Sequence, residues 1–98
     1  MDEYSLQFSD GAVLNNAQIG RSDPEHILIW IPDGEYTINY LFDFFRGPDH
    51  LSEIQFMNRE YVLDVYRGFD RMESFSYNAS RKEFTIRLTG DNPSVDDR

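Results

Sequence analysis

Two histidines and no cysteine limit the catalytic chemistry open to this 98-residue chain. Thiol nucleophiles, disulfides and zinc–thiolate sites are excluded, because each of them needs a cysteine. A serine hydrolase of the common type would carry Gly-x-Ser-x-Gly, and that motif does not occur. His26 opens an apolar stretch and His50 follows a proline turn, so chance placement explains both better than catalysis does. The sequence predicts that the protein is not an enzyme.

Two carboxylates lie within three positions of each histidine, which raises the question of a metal site. Neither group has the spacing of a His-Glu-x-x-His zinc helix or of a calcium loop. In a chain with eighteen Asp and Glu residues, such local groups are expected by chance. The six glycines are isolated from one another, so no glycine-rich phosphate loop is present either. We expect no metal and no cofactor.

The net charge of the chain argues against some classes of binding partner. Eighteen acidic residues stand against nine basic ones, giving a formal charge of −9. Such a surface repels phosphate backbones and anionic membranes. The apolar runs are also far shorter than the roughly 20 residues of a spanning helix, and no secretory leader opens the chain. We expect no direct nucleic-acid or membrane binding, and a cytoplasmic location.

The composition nevertheless favours protein–protein contact. The chain contains fifteen aromatic residues, and eight of its nine cations are arginine, with Lys82 as the exception. Interfaces are enriched in aromatic residues and arginine and depleted in lysine. Two alternatives remain open: the tyrosines could ring the core with their hydroxyls in water, and the acidity could serve solubility alone.

One segment has the apolar spacing of a helix. Ile38, Leu41, Phe42 and Phe45 fall at i, i+3, i+4 and i+7, which predicts that this face is buried. Thr37 is a suitable N-cap, and an arginine, a glycine and a proline follow the last apolar residue, as at helix ends.

The same segment carries a second stripe, made of Tyr36, Tyr40 and Phe44 at i, i+4 and i+8. It runs beside the first stripe, and we expect its rings to stay partly exposed. Four carboxylates lie on the helix or next to it. The rings and the acids together predict a surface for a protein partner with a basic face, made of Asp33, Glu35, Tyr36, Tyr40, Asp43, Phe44 and Asp49. Electrostatic steering would make that contact sensitive to salt.

Most of the remaining chain alternates apolar and polar residues, as half-buried strands do. We predict a β-rich α+β fold of about seven short antiparallel strands, forming a curled sheet or a small barrel or sandwich, with one helix between strands three and four. Residues 1–89 are expected to form a single globular domain, and residues 90–98 a flexible acidic tail. The predicted core is Leu6, Phe8, Val13, Ile27, Ile29, Ile31, Ile38, Leu41, Phe42, Phe45, Ile54, Phe56, Leu63, Val65, Phe84, Ile86 and Leu88.

Two segments resemble small proteins encoded by phages and prophages of Gram-positive bacteria. Residues 6–15 (LQFSDGAVLN) are similar to their x-Asp-Gly-Thr-x-Leu hairpin. Residues 66–69 (YRGF), Met72 and residues 84–88 (FTIRL) are similar to their closing Tyr-x-Gly-Tyr … Ile-x-Val-x-Leu pattern. The resemblance implies a phage accessory protein in the host bacterial cytoplasm, and it supplies no catalytic residues.

Two functional hypotheses follow. The first is an acidic, non-catalytic inhibitor of a basic nucleic-acid-handling host protein, of the anti-CRISPR kind, whose carboxylates mimic nucleic-acid phosphates. The second is a structural tail, baseplate or assembly protein that self-associates as a homo-oligomer through a strand edge or the aromatic stripe.

Overall fold

Nine strands and one α-helix make up residues 3–97, the part of the chain that the computed structural model describes. Met1, Asp2 and Arg98, which belong to the predicted domain and tail, lie outside the described residues. The elements are β1 (Tyr4–Phe8), β2 (Val13–Asn15), β3 (Gln18–Asp23), β4 (His26–Pro32), α1 (Ile38–Arg46), a 3-10 turn (Pro48–His50), β5 (Glu53–Asn58), β6 (Tyr61–Arg67), β7 (Arg71–Asn78), β8 (Glu83–Thr89) and β9 (Ser94–Asp97).

The strands form two antiparallel sheets. Sheet A has the order β2-β1-β5-β6-β9, and sheet B has the order β3-β4-β8-β7. Buried residues from both sheets and from α1 join in one apolar core. The prediction of a β-rich fold with antiparallel strands and one helix is confirmed, and the sheets do not close into a barrel.

The predicted strand count and helix position were wrong: there are nine strands, and α1 lies between β4 and β5. One strand was missed before the helix, because the chain changes sheet between β2 and β3 at Asn16, whose φ is +62°. Asparagine tolerates this left-handed conformation better than most residues. The other missed strand, β9, lies in the predicted tail.

The tail differs from its prediction over Ser94–Asp97, which pairs with β6. Its single apolar residue, Val95, lies opposite Tyr66 and packs half-buried against the core, so the backbone ladder and this one side chain both hold the strand. The approach to β9 depends on a close passage between two glycines. A Cβ on Gly90 would lie 1.7 Å from the carbonyl oxygen of Gly68, so a side chain at position 90 would force the backbones apart.

Alternation on the central strands was predicted correctly. Ile27, Ile29 and Ile31 of β4 are fully buried, and Ile29 lies opposite the buried Ile86 of β8. Three predicted core residues, Val13, Ile38 and Phe42, are instead exposed, and Phe56 and Leu63 are half-buried. Core residues that the sequence analysis missed are Leu14, Ala17, Ile19, Phe44, Leu51, Tyr66 and Phe69.

For β2, the prediction placed the wrong face of the strand in the core. Leu14 pairs with Leu6 of β1 and shares its buried face, so Val13 points to the opposite, exposed side. In a three-residue strand the pattern is too short to define the face, and a one-residue shift exchanges the two sides.

Candidate functional site

Helix α1 begins and ends where the sequence predicted. The Thr37 hydroxyl accepts a hydrogen bond from the backbone N–H of Tyr40 at 3.1 Å, which satisfies one of the free amides of the first turn. At the other end, the N–H of Gly47 donates to the carbonyl of Phe44, and Arg46 lies in the last turn, where the helix dipole favours a cation.

Four stacked rings run along one side of α1. We call Tyr36, Tyr40, Phe44 and His50 the ring ladder. Successive ring centroids are 5.6, 6.1 and 4.4 Å apart, with interplanar angles of 13°, 29° and 7°. The first three rings are spaced by four residues, which places them on one helix face.

Both ends of the ring ladder are bonded to the β1–β2 hairpin. The Tyr36 hydroxyl accepts from the backbone N–H of Asn15 at 2.8 Å. His50 Nδ1 makes a short contact with the carboxylate of Asp10. The backbone N–H of Ala12, followed by His50, lowers the pKa of Asp10. The ladder is therefore fixed in place rather than free to rotate.

The rings of the ladder differ sharply in exposure. Phe44 is only 7% exposed and contacts Phe8 edge-on, with the ring centroids 4.7 Å apart. It also contacts Phe45 edge-on, so its ring belongs to the core. Tyr36 is half-buried, whereas Tyr40 is 49% exposed. The expectation that the whole stripe stays partly exposed was wrong for Phe44, because this ring lies against β1.

The predicted acids are distributed around the helix rather than gathered at one point. Asp43, on α1, pairs with Arg46 at 2.9 Å, and both side chains are largely exposed, so the pair contributes little stability. Glu35 accepts from the side-chain amide of Asn16 at 2.8 Å. Asp49 lies exposed in the turn that follows the helix.

Asp33 faces a different neighbour from the other acids. Its carboxylate accepts a short hydrogen bond from the hydroxyl of Tyr77 on β7. This bond, followed by desolvation, raises the pKa of Tyr77. The structure thus brings Tyr36, Tyr40 and Asp43 together along α1 and binds Asp33 to sheet B.

The opposite side of α1 is also exposed, which the sequence analysis did not predict. Ile38 is 53% exposed and Phe42 is 37% exposed. Phe42 packs edge-on against Phe75 of β7, with the centroids 5.8 Å apart, and the guanidinium of Arg46 lies 5.5 Å from its ring. We use the name helix patch for Ile38 and Phe42 on this side together with Tyr40 on the ladder side, so the patch includes residues from two sides of α1. The available signal was that the helix is apolar around much of its circumference, so one core cannot cover all of it.

A shallow groove separates α1 from the β1–β2 hairpin. It encloses about 420 Å³ and is lined by Ala12, Tyr40, Asp43, Phe44 and His50. The ring edges offer apolar contact and Asp43 offers a negative charge at the rim. Such a groove suits an apolar or aromatic side chain that carries, or lies beside, a cation.

A second set of titratable side chains, which we call the ionic cluster, consists of Asp23, His26, Glu73 and Arg87. His26 Nδ1 lies 2.7 Å from Asp23 Oδ1, and its Nε2 lies 3.2 Å from Glu73 Oε2. Arg87 Nε lies 3.0 Å from the other oxygen of Glu73. The bond to Asp23 is the main cause of a raised pKa at His26, and the same bond lowers the pKa of Asp23.

With a carboxylate at each ring nitrogen, His26 has no free nitrogen to activate a nucleophile. Across residues 3–97, no three His, Asp or Glu side chains are grouped so as to hold a metal ion. The ionic cluster is thus an arrangement of charge pairs that joins β3, β4, β7 and β8.

Within the same described residues, no helix is both long enough and apolar enough to span a membrane. Comparison of the chain with protein-family models, with curated proteins and with solved structures gave no match in any of the three.

Proposed function

We propose that the protein is an acidic, non-catalytic protein-binding module that docks through α1 onto a partner with a basic surface. The helix patch is the observation that carries this proposal. Three large apolar side chains remain 37–53% exposed on a helix of nine residues, although Leu41 and Phe45 of the same helix are fully buried. Ile38 and Phe42 lie on one flank of the exposed face of α1 and Tyr40 on the other, and exposed apolar surface on this scale is typical of interaction sites.

Charge supports a basic partner. Residues 33–50 contain four carboxylates and one arginine, and Asp10 adds a further carboxylate at the end of the ring ladder. A local excess of negative charge attracts a basic surface and speeds its encounter. Tyr40 lies between these charges with half of its surface free, and tyrosine is among the residues that most often anchor interfaces.

The specific form of this proposal is inhibition of a nucleic-acid-handling protein. Carboxylates flanking α1 would take positions that phosphates occupy on the partner, and Tyr40 would supply the apolar anchor. The phage origin that the hairpin at residues 6–15 suggests belongs to the same proposal, since a small inhibitor of a host enzyme fits a phage accessory role.

A second candidate function, self-association in an assembly, has its own support in β7. This strand is eight residues long, lies at the edge of sheet B and pairs, within residues 3–97, with β8 alone. Edge strands present unpaired backbone groups to other chains. Light scattering at increasing concentration tests this function: a dimer or larger oligomer supports it, and a monomer throughout contradicts it.

The docking proposal is tested by capture of proteins from bacterial lysate on the immobilised 98-residue chain, at low and high salt. Tyr40→Ala and Asp43→Lys are the site variants. Tyr61→Ala and Glu60→Lys are matched controls, because Tyr61 and Glu60 are exposed residues at the β5–β6 turn and undergo the same chemical changes.

The expected result is a basic protein that wild type and both controls retain at low salt, that high salt releases, and that both site variants lose. Thermal unfolding should show that all four variants fold. Recovery of the same proteins by site and control variants alike would contradict docking through α1.

A further inference from the structure

The one tryptophan of the chain lies on the outer face of sheet B, away from the helix patch. Trp30 is in the central strand β4, whose neighbouring residues Ile29 and Ile31 point into the core, so its own side chain points outward. In register it lies between Gln18 of β3 and Thr85 of β8.

The indole of Trp30 lies directly against Gly20 of β3. A Cβ at this position would lie 2.9 Å from the indole Cη2 and 3.0 Å from Cζ3, closer than such atoms can approach. Gly20 is not among the glycines with positive φ, so the backbone itself does not require glycine there. Glycine within a strand weakens it and often marks a close approach of another group. The glycine therefore accommodates an indole that lies over the backbone of β3.

A groove of about 350 Å³ opens beside this indole, near the lower end of the roughly 300–1,000 Å³ usual for small-molecule sites. Its lining residues are Asn16, Gln18, Trp30, Pro32, Arg81 and Glu83. Arg81 Nε lies 3.0 Å from Glu83 Oε1, and the Asn16 side-chain amide donates to Glu35 at 2.8 Å.

We infer that this indole groove binds a neutral saccharide. An indole face is a flat apolar surface on which the C–H face of a pyranose ring can pack. The four polar lining residues end in planar amide, guanidinium or carboxylate groups, which have further donors and acceptors for neighbouring hydroxyls beside the bonds already named. A wholly apolar ligand would cover these polar groups without hydrogen-bonding to them, and the net charge of −9 disfavours an anionic one.

Because Trp30 is the only tryptophan, intrinsic fluorescence reports on the groove directly. We would titrate the full chain with maltose, cellobiose and N,N′-diacetylchitobiose, with sorbitol as the control polyol and a proline-rich peptide as the rival occupant. A saturable change in emission with one of the disaccharides and none with sorbitol is the expected result. No saturable change with any of the three disaccharides, or saturation with the peptide alone, would overturn the inference.

Gln18→Ala separates binding in the groove from an indirect effect on the fold. Gln18 is exposed, so its loss should leave the melting temperature unchanged, while removing one hydrogen-bonding group should weaken saccharide binding about fivefold. Gln55→Ala in sheet A is the matched control and should bind like wild type. Equal affinities for wild type and Gln18→Ala would overturn the assignment. The site shares no residue with the helix patch, so failure here leaves docking through α1 unaffected.

Discussion

The ring ladder and the ionic cluster use opposite physical means to hold their residues. Phe44, within the ladder, packs among the apolar rings of Phe8 and Phe45, and charges occur only around the rim. In the ionic cluster, Asp23 and Glu73 are paired with His26 and Arg87. The excess negative charge of the chain is therefore unevenly distributed: it is nearly balanced at the ionic cluster and only partly compensated around α1, where Arg46 pairs with one of the four carboxylates of residues 33–50.

This difference shows which exposed groups are free for another role. The charged groups of the ionic cluster already bind one another across sheet B. Around α1, by contrast, the inward rings supply the packing, and Ile38, Tyr40 and Phe42 keep a third or more of their surface in water.

Phe44→Ala should destabilise the protein by about 3–5 kcal/mol, because it removes a buried ring from contacts with Phe8, Phe45 and His50. Urea unfolding followed by circular dichroism measures the loss. Tyr40→Ala, from the same ladder, is the control and should cost about 1 kcal/mol, because half of its surface is already exposed. Similar losses for the two variants would show that the ladder does not divide into a core ring and a surface ring.

The ionic cluster should give stability a dependence on pH. His26 has a pKa above its ordinary 6.5 in the folded protein, mainly through Asp23, so folding favours its protonated form. Its contribution is complete below pH 6.5 and is lost as the pH rises through the raised folded pKa. The free energy of unfolding should therefore decrease across that window, by less than the Phe44→Ala effect, because solvent reaches the carboxylates that pair with His26, which are 42% and 45% exposed.

The matched control for this pH dependence is His26→Gln, which keeps a polar side chain but does not titrate. Urea unfolding at a series of pH values should show the decrease in wild type and a flatter profile in the variant. Asp23 acts in the opposite range: its pKa lies below the usual 3.8, so its contribution is lost only as the pH falls through that lowered value. An identical slope in both proteins would mean that the ionic cluster does not couple His26 to folding.

The sequence predicted the long segments that have a regular apolar pattern. It did not predict which face is buried in short strands, or in the helix, which has apolar residues on more than one side. The alternation of β4 and β8 and the caps of α1 depend on local spacing, and the structure agrees with them. β2 has three residues, too few to show which face is buried, and β9 has one half-buried apolar residue, Val95, which is too few to form a pattern.

For the candidate site, too, the sequence predicted the segment but not which of its sides is buried. The sequence placed rings and acids around one helix, but it assigned Ile38 and Phe42 to the core and Phe44 to the surface. Two apolar stripes flank the helix, and the buried face includes Leu41, Phe44 and Phe45. Which stripe turns inward depends on the distant partner Phe8, and periodicity within the helix carries no information about that contact.

Ile38→Ala should have the smallest effect and is the closest test of the surface role of the helix patch. Ile38 is 53% exposed in the first turn of α1, so truncation removes little buried area, and alanine has the higher helix propensity. The free energy of unfolding should change by no more than about 0.5 kcal/mol. Leu41→Ala on the same helix is the control and should cost about 2–5 kcal/mol, because Leu41 is fully buried. A loss of that size at Ile38 would place its side chain in the core, as the sequence pattern predicted, and would reduce the exposed patch to Tyr40 and Phe42.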